Sequence, residues 1–129
     1  MNILLMDDDP HILSLLKGAF VKWGYAVSAY TNPRLCPAYC AETCPCVLSG
    51  NGCPDLVLTD VNMPSVNGIT FVEELLRKGC QCRKIGMMSG DWSESHIRRA
   101  NELGVSIFSK PFHIPSLYVW ALEEKKRIA

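Results

Sequence analysis

Leu56-Val57-Leu58-Thr59-Asp60-Val61-Asn62-Met63-Pro64 is a short apolar run that ends on a carboxylate and breaks at a proline. Such a run reads as a strand buried on both faces, the habit of parallel sheets. A polar group at its C-terminal tip lies where open α/β sheets place their chemistry. Two other runs repeat the pattern. Ile3-Leu4-Leu5-Met6 ends in Asp7-Asp8-Asp9, and Ser106-Ile107-Phe108-Ser109 ends in Lys110-Pro111. Three strand tips therefore offer acids, a further acid and a base.

The segments between these runs have helical spacing. Pro10 suits a helix start, where its missing N–H costs nothing. Ile12, Leu13, Leu16, Ala19, Phe20 and Trp23 recur at three- and four-residue intervals, and Gly24 ends the pattern. Ala26 to Tyr30 reads as a strand. Ile69 to Lys78 reads as a helix with Phe71, Val72, Leu75 and Leu76 inward. Lys84 to Met88 is a fourth strand, and Ser93 to Leu103 a helix closed by Gly104. Ser106 to Ser109 is the fifth strand, and Ile114 to about Lys126 the last helix. Alternating strands and helices imply right-handed crossovers and a parallel sheet covered on both faces. The expected fold is a doubly wound, five-stranded, flavodoxin-like sheet of order 2-1-3-4-5. Asn32 to Pro54 interrupts it. There a helix is expected to be replaced or shortened by a segment rich in Cys, Pro and Gly.

With 129 residues, 48% of them apolar and 20% charged, the chain suits one ordinary domain with a full core. A formal net charge of zero offers no basic footprint for nucleic acid. The start lacks a charged leader and a long apolar stretch, and no run reaches the roughly 20 apolar residues of a membrane span. A cytoplasmic protein that binds neither nucleic acid nor membrane is expected.

In the 2-1-3-4-5 order the first and third strands are neighbours at the switch point, so Asp7-Asp8 and Asp60 converge. Carboxylates that close repel one another unless a cation neutralises them. An all-oxygen site of this kind suits a hard ion such as Mg²⁺, which also favours phosphate oxygens. Lys110 adds a point charge for a phosphoryl oxygen, and Ser89 a hydroxyl beside it. The set suits phosphoryl transfer onto a carboxylate, where positioning and charge neutralisation make up most of the catalysis.

Asp7-Asp8, Asp60 with Met63-Pro64 and Gly68, Ser89-Gly90 and Lys110-Pro111-Phe112 stand in this order on the right strand tips. On these residues the chain resembles the receiver domain of two-component response regulators, in its single-domain, chemotaxis-regulator-like form, over residues 1–129 with a Cys-rich insertion at about 32–54. The resemblance implies that Asp60 accepts a phosphoryl group from a sensor histidine kinase or a phosphotransfer protein. It implies Asp8 as direct Mg²⁺ ligand, Asp7 through water, and a further ligand from the Asn62 backbone carbonyl beside Asp60. Ser89 and Lys110 would engage the phosphoryl group, and the bond before Pro111 would be cis. Catalysis would be limited to the chain's own phosphorylation and dephosphorylation. The product would be a switch acting on an unknown downstream protein, as a monomer or weak dimer with no output domain attached. Polar Asn62 and Asp91, each two residues beyond a pocket residue, imply a short-lived signal.

The family often has an aromatic residue three positions before the lysine, and this chain has Ile107 followed by Phe108. Either the aromatic switch is absent or the strand shifts register. Plainer roles are expected elsewhere: Asp9 as a helix cap, Asp55 as a turn residue, and Trp92 and Trp120 partly exposed. Leu117, Ala121 and Leu122 are expected on the inner face of the last helix.

Seven cysteines remain: Cys36, Cys40, Cys44, Cys46, Cys53, Cys80 and Cys82. In a reducing compartment they read as unbridged thiols, a structural Zn²⁺ site of four thiolates, or a redox or iron–sulfur site. The spacing lacks the paired Cys-x-x-Cys of common zinc sites. Cys53 and the Cys80/Cys82 pair are expected to meet at the pole of the sheet opposite Asp60. A thiol or metal sensor with a vestigial acidic pocket is thus the alternative reading. A phosphatase with Asp60 as nucleophile is a weaker one, because Asn62 supplies no second acid.

Overall fold

Each apolar run becomes a strand and each periodic segment a helix in the computed structural model, which describes residues 1–36, 39, 53–64, 66–82, 84–111 and 113–128. The strands are β1 (Asn2–Met6), β2 (Ala26–Tyr30), β3 (Leu56–Asp60), β4 (Lys84–Ser89) and β5 (Ser106–Ser109). The helices are α1 (Pro10–Lys22), α2 (Gly68–Arg77), α3 (Glu94–Leu103) and α4 (Ile114–Ile128). The strands form one sheet in the order β2-β1-β3-β4-β5, every pair parallel. Central β3 is buried along its whole length, which is why its sequence shows no polar alternation.

Side-chain alternation divides the core in two. Leu4, Met6, Val57, Ile85 and Met87 face one way, against Phe71, Val72 and Leu75 of α2 and Ala100 of α3. Ile3, Leu5, Leu56, Leu58 and Met88 face the other, against Leu13, Leu16 and Phe20 of α1 and Leu117, Trp120 and Ala121 of α4. The helix ends follow ordinary capping chemistry. The Asp9 side chain accepts the His11 N–H at 2.9 Å, so Asp9 is the expected cap. Asn67 and Ser93 cap α2 and α3 in the same way, and Gly104, at φ +73°, closes α3. Asp55 is indeed a turn residue, its carboxylate accepting the Asn2 N–H at 2.8 Å.

One expected surface residue is buried. Trp120 is 5% exposed, not partly exposed as the helix pattern suggests. Gly86 explains it, since a Cβ there would come within 2.9 Å of the Phe108 ring and 3.2 Å of the Trp120 ring. The missing side chain on β4 leaves the space that the two rings fill, 5.5 Å apart and edge-on. The indole N–H of Trp120 is satisfied by Ser106 Oγ at 3.1 Å. Trp92 is half-buried, as expected.

After β2 a short 3₁₀ turn (Pro33–Leu35) leads to buried Cys36. Tyr39 then packs on Phe71 of α2, while the Lys78 ammonium sits 4.9 Å over the Tyr39 ring and bonds its carbonyl. Cys40, Cys44 and Cys46, with the expected replacement of a helix, lie outside the described residues. Among the described residues no helix is long and apolar enough to cross a membrane.

Candidate functional site

The register brings the acidic strand tips together. Met6 lies beside Thr59, so the residues that follow, Asp7 and Asp60, leave adjacent strands at the same level. Both are buried, Asp7 at 0% exposure and Asp60 at 4%, along with Ser89 at 0%. Buried charges persist only when paired or bonded, and these are. Asp7 Oδ2 receives the Lys110 ammonium at 2.9 Å, and its Oδ1 accepts the Asp9 N–H at 2.9 Å. Lys110 Nζ also lies 3.2 Å from Asp60 Oδ2. The Lys110 backbone N–H donates to the Ser89 carbonyl at 2.9 Å, fastening the β5 tip to the β4 tip, and the Lys110–Pro111 bond is cis.

The loop after Asp60 is shaped by its neighbours. The Val61 N–H donates to Met88 O at 2.9 Å, and the Gly68 N–H returns to Val61 O at 2.8 Å. A Cβ on Gly68 would stand 2.0 Å from the Asp60 carbonyl oxygen, so only glycine lets α2 begin this close under the site. Asn62 bridges the two loops over the pocket. Its N–H reaches Asp60 Oδ1 at 3.4 Å, and its side-chain amide donates to Ser89 Oγ at 3.0 Å. The Asp91 N–H donates to the same hydroxyl oxygen at 3.0 Å.

Electrostatics follow from this crowding. Burial, the hydrogen bond with Asp8 and the charge of Asp7 push the Asp60 carboxyl up to about 6, and Lys110 offsets this only in part. Burial works against a charged Lys110, yet its bond to Asp7 and the attraction of Asp60 and Asp7 outweigh that and hold its pKa above the usual value. Carboxylate oxygens of Asp7, Asp8 and Asp60 lie within 4.8 Å of one another, Asp8 exposed and the other two buried. Three carboxylates against one ammonium leave two uncompensated negative charges (−3 + 1 = −2). A hard divalent ion fits this donor set in both charge and chemistry.

The six pocket residues expected from the sequence, Asp7, Asp8, Asp60, Asn62, Ser89 and Lys110, thus come together, Asn62 through its N–H and side-chain amide. Two features escape sequence reasoning. Gly68 looks like a loop-former, and only the sheet reveals its approach to Asp60 O. The Trp92 indole N–H donates to Phe108 O at 2.9 Å, a link from the β4–α3 loop to β5 that nothing in the sequence marks. The register of β5 on β4 is unbroken, pairing Met87 with Ile107 and Met88 with Phe108. A register shift is therefore excluded. Ile107 faces the α2–α3 side with Trp92, and Phe108 faces Trp120 on the other.

Cys53, Cys80 and Cys82 do meet at the opposite pole, where the Gln81 N–H donates to Cys53 Sγ at 3.1 Å. Among the described residues, however, only the three aspartates form a group compact enough for a metal. The Zn²⁺ expectation gains no support from the described cysteines.

A parallel α/β sheet thus gathers an acidic cluster at its switch point with a lysine from the tip of β5, two strands away. The whole chain can then be placed by likeness. The response regulator receiver domain family matches residues 3–120, and the chain belongs to that family. It is 30% identical over 114 residues to the chemotaxis protein CheY of Bacillus subtilis, covering 86% of each chain. It is 30% identical over 78 residues to the two-component response regulator EHD1 of rice, covering 60% of this chain and 21% of that one. The chain thus spans only about a fifth of the length of the rice regulator. Among solved structures, chemotaxis protein CheY4 of Vibrio cholerae superposes with a TM-score of 0.71 at 21% identity, covering 99% of this chain and 98% of that one. That likeness speaks to the fold.

Proposed function

We propose that this chain is a phosphorylation-activated switch in which Asp60 takes a phosphoryl group from a phosphohistidine on a sensor histidine kinase or phosphotransfer protein. The observation that carries the reading is the convergence of three acids around an ammonium that touches both Asp7 and Asp60. Asp60 Oδ1 is the nucleophile, because Oδ2 is taken by Lys110 while the Asn62 N–H reaches Oδ1 at a long 3.4 Å. As the O–P bond forms, the P–N bond to the donor imidazole breaks, and the imidazole leaves with a proton. Lys110 moves from Asp60 onto a phosphoryl oxygen while keeping Asp7. The Ser89 hydroxyl, which accepts two N–H groups, has its own hydrogen left to donate to another.

Mg²⁺ would be held by Asp8 directly, Asp7 through water, Asp60 and the Asn62 carbonyl, and when bound it would supply the positive charge the cluster lacks. Asp7 suits the water-mediated place because Lys110 and the Asp9 N–H already use its oxygens. Asp8, exposed at the rim, suits the direct one.

Incubation with Mg²⁺ and a small phosphodonor should add one hydroxylamine-labile phosphoryl group, and Asp60→Asn should abolish it. Labelling that survives in Asp60→Asn would sink the assignment. The switch reading would also fail if beryllofluoride left the amide spectrum of the parent chain unchanged.

A further inference from the structure

The pole opposite Asp60 carries chemistry that the phosphoacceptor pocket does not use. Gly79, at φ +89°, turns the chain out of α2, and the Cys80 N–H closes that turn on Leu75 O at 3.0 Å. The chain then runs Cys80-Gln81-Cys82 across the foot of β4. Cys80 is a buried thiol, 7% exposed, and its side chain is hydrogen-bonded to both Cys82 and Cys53. Cys53 is held in place by the Gln81 N–H at 3.1 Å. Cys82 differs from the other two. It opens onto a cavity of about 350 Å³ at the foot of the sheet, which it shares with Lys84, Leu103 and Ser106. That cavity admits a small polar molecule, and Lys84 contributes to its wall while its ammonium pairs with Glu123 at 3.4 Å.

We propose that Cys80 and Cys82 form a peroxide-reactive dithiol, with Cys82 the attacking sulfur and Cys80 the resolving one. The co-substrate class is a small hydroperoxide, hydrogen peroxide being the simplest. The Cys82 thiolate attacks the near oxygen of the peroxide. An S–O bond forms, the O–O bond breaks, and the hydroxide that leaves is protonated to water. Cys82 is then a sulfenic acid, oxidised by two electrons. Cys80 sulfur attacks Cys82 sulfur, and the hydroxyl departs with the Cys80 proton as a second water. The sum is two thiols and one peroxide giving one disulfide and two waters.

The division of roles follows from access and from the proton. Cys82 is reached from the cavity, whereas Cys80 is buried and does not line it, so the peroxide meets Cys82 first. The hydrogen bond to Cys82, then burial and the charge of Cys82, hold the Cys80 thiol well above its usual pKa, so Cys80 stays an unreactive thiol in the reduced pair. Once Cys82 is a neutral sulfenic acid that charge is gone, and Cys80 gives up its proton to the departing hydroxyl as it attacks. Cys53 touches Cys80 but does not line the cavity.

Tryptic mapping tests this directly, because cleavage after Lys78 and Arg83 releases Gly79–Arg83, which holds Cys80 and Cys82 and no other cysteine. Full-length reduced protein treated with equimolar hydrogen peroxide should show this peptide lighter by about 2 Da, the loss of two hydrogens, restored by dithiothreitol. Cys80→Ser should stop at a sulfenic acid on Cys82 that dimedone traps. Cys82→Ser should react at least tenfold more slowly, and Cys53→Ser at the parent rate. A first disulfide joining Cys53 to either partner would overturn the proposal. So would an unaltered Gly79–Arg83 peptide in the parent protein, or an undiminished rate in Cys82→Ser with an unchanged amide spectrum.

Discussion

Asp60 is an acid placed where an acid is uncomfortable, and that discomfort is measurable. Its folded-state carboxyl sits near 6 against an ordinary 3.8, with Asp7, Asp8 and Lys110 the charged groups facing it. Between those values the native chain holds a proton that the unfolded chain releases. Without divalent cations, stability should therefore fall as pH rises from about 4 to about 6 and stay low above that. Asp60→Asn removes the penalty. Urea unfolding in chelator at pH 8 should find Asp60→Asn more stable than the parent by about 2 kcal/mol, with the gap closing at pH 4. A variant less stable than the parent at pH 8 would mean that the cluster does not repel as its geometry implies. Gly68 is the second residue on which the site depends. Gly68→Ala drives a methyl group to 2.0 Å from the Asp60 carbonyl oxygen, so the loop must shift. A loss of about 2 kcal/mol and slower phosphorylation by a small donor should follow.

The strands were legible because burial on both faces leaves an unbroken apolar run, and β3, with all five residues buried, is the clearest instance. The acid cluster was legible for a related reason. Given a 2-1-3-4-5 order, strand tips fall side by side whatever the loops do. What could not be read depends on contacts between elements. Trp120 of α4 sinks because Gly86, on strand β4, has no side chain. Ile107 and Phe108 could be assigned to faces only once β5 was seen in unbroken register with β4. The loops pose the same kind of question. Asn62 on the β3–α2 loop and the Asp91 N–H on the β4–α3 loop share one hydroxyl, Ser89 Oγ, each at 3.0 Å. Under the proposed function, that polar bridge would keep water close to the acyl phosphate. The isolated phosphorylated chain should lose its phosphoryl group within minutes at neutral pH, followed by intact mass, and survival for many hours would contradict the role given to these loops.

At the scale of the whole molecule, a donor has to reach the pocket from some side, and the surface distinguishes one. Ile12 and Leu15 of α1, with Pro111 and Ile114, enclose an apolar hollow of about 250 Å³ whose remaining wall is Lys110. Leu15 is 59% exposed, a large apolar side chain on the outer flank of α1, away from the Leu13, Leu16 and Phe20 face that builds the core. Because Lys110 belongs to both the hollow and the acid pocket, a donor protein seated here would bring its phosphohistidine to Asp60, as the proposed function requires. A small phosphodonor needs no such surface. Leu15→Asp should therefore slow transfer from a phosphohistidine protein at least tenfold, equivalent to about 1.4 kcal/mol of lost docking. Its rate of labelling by a small donor with Mg²⁺ should match the parent, since Leu15 lies on the exposed outer flank of α1 and is not among the acid-pocket residues. Equal losses with both donors would place the defect in folding or in the pocket. Equal rates with both would show that the phosphohistidine protein docks on another face.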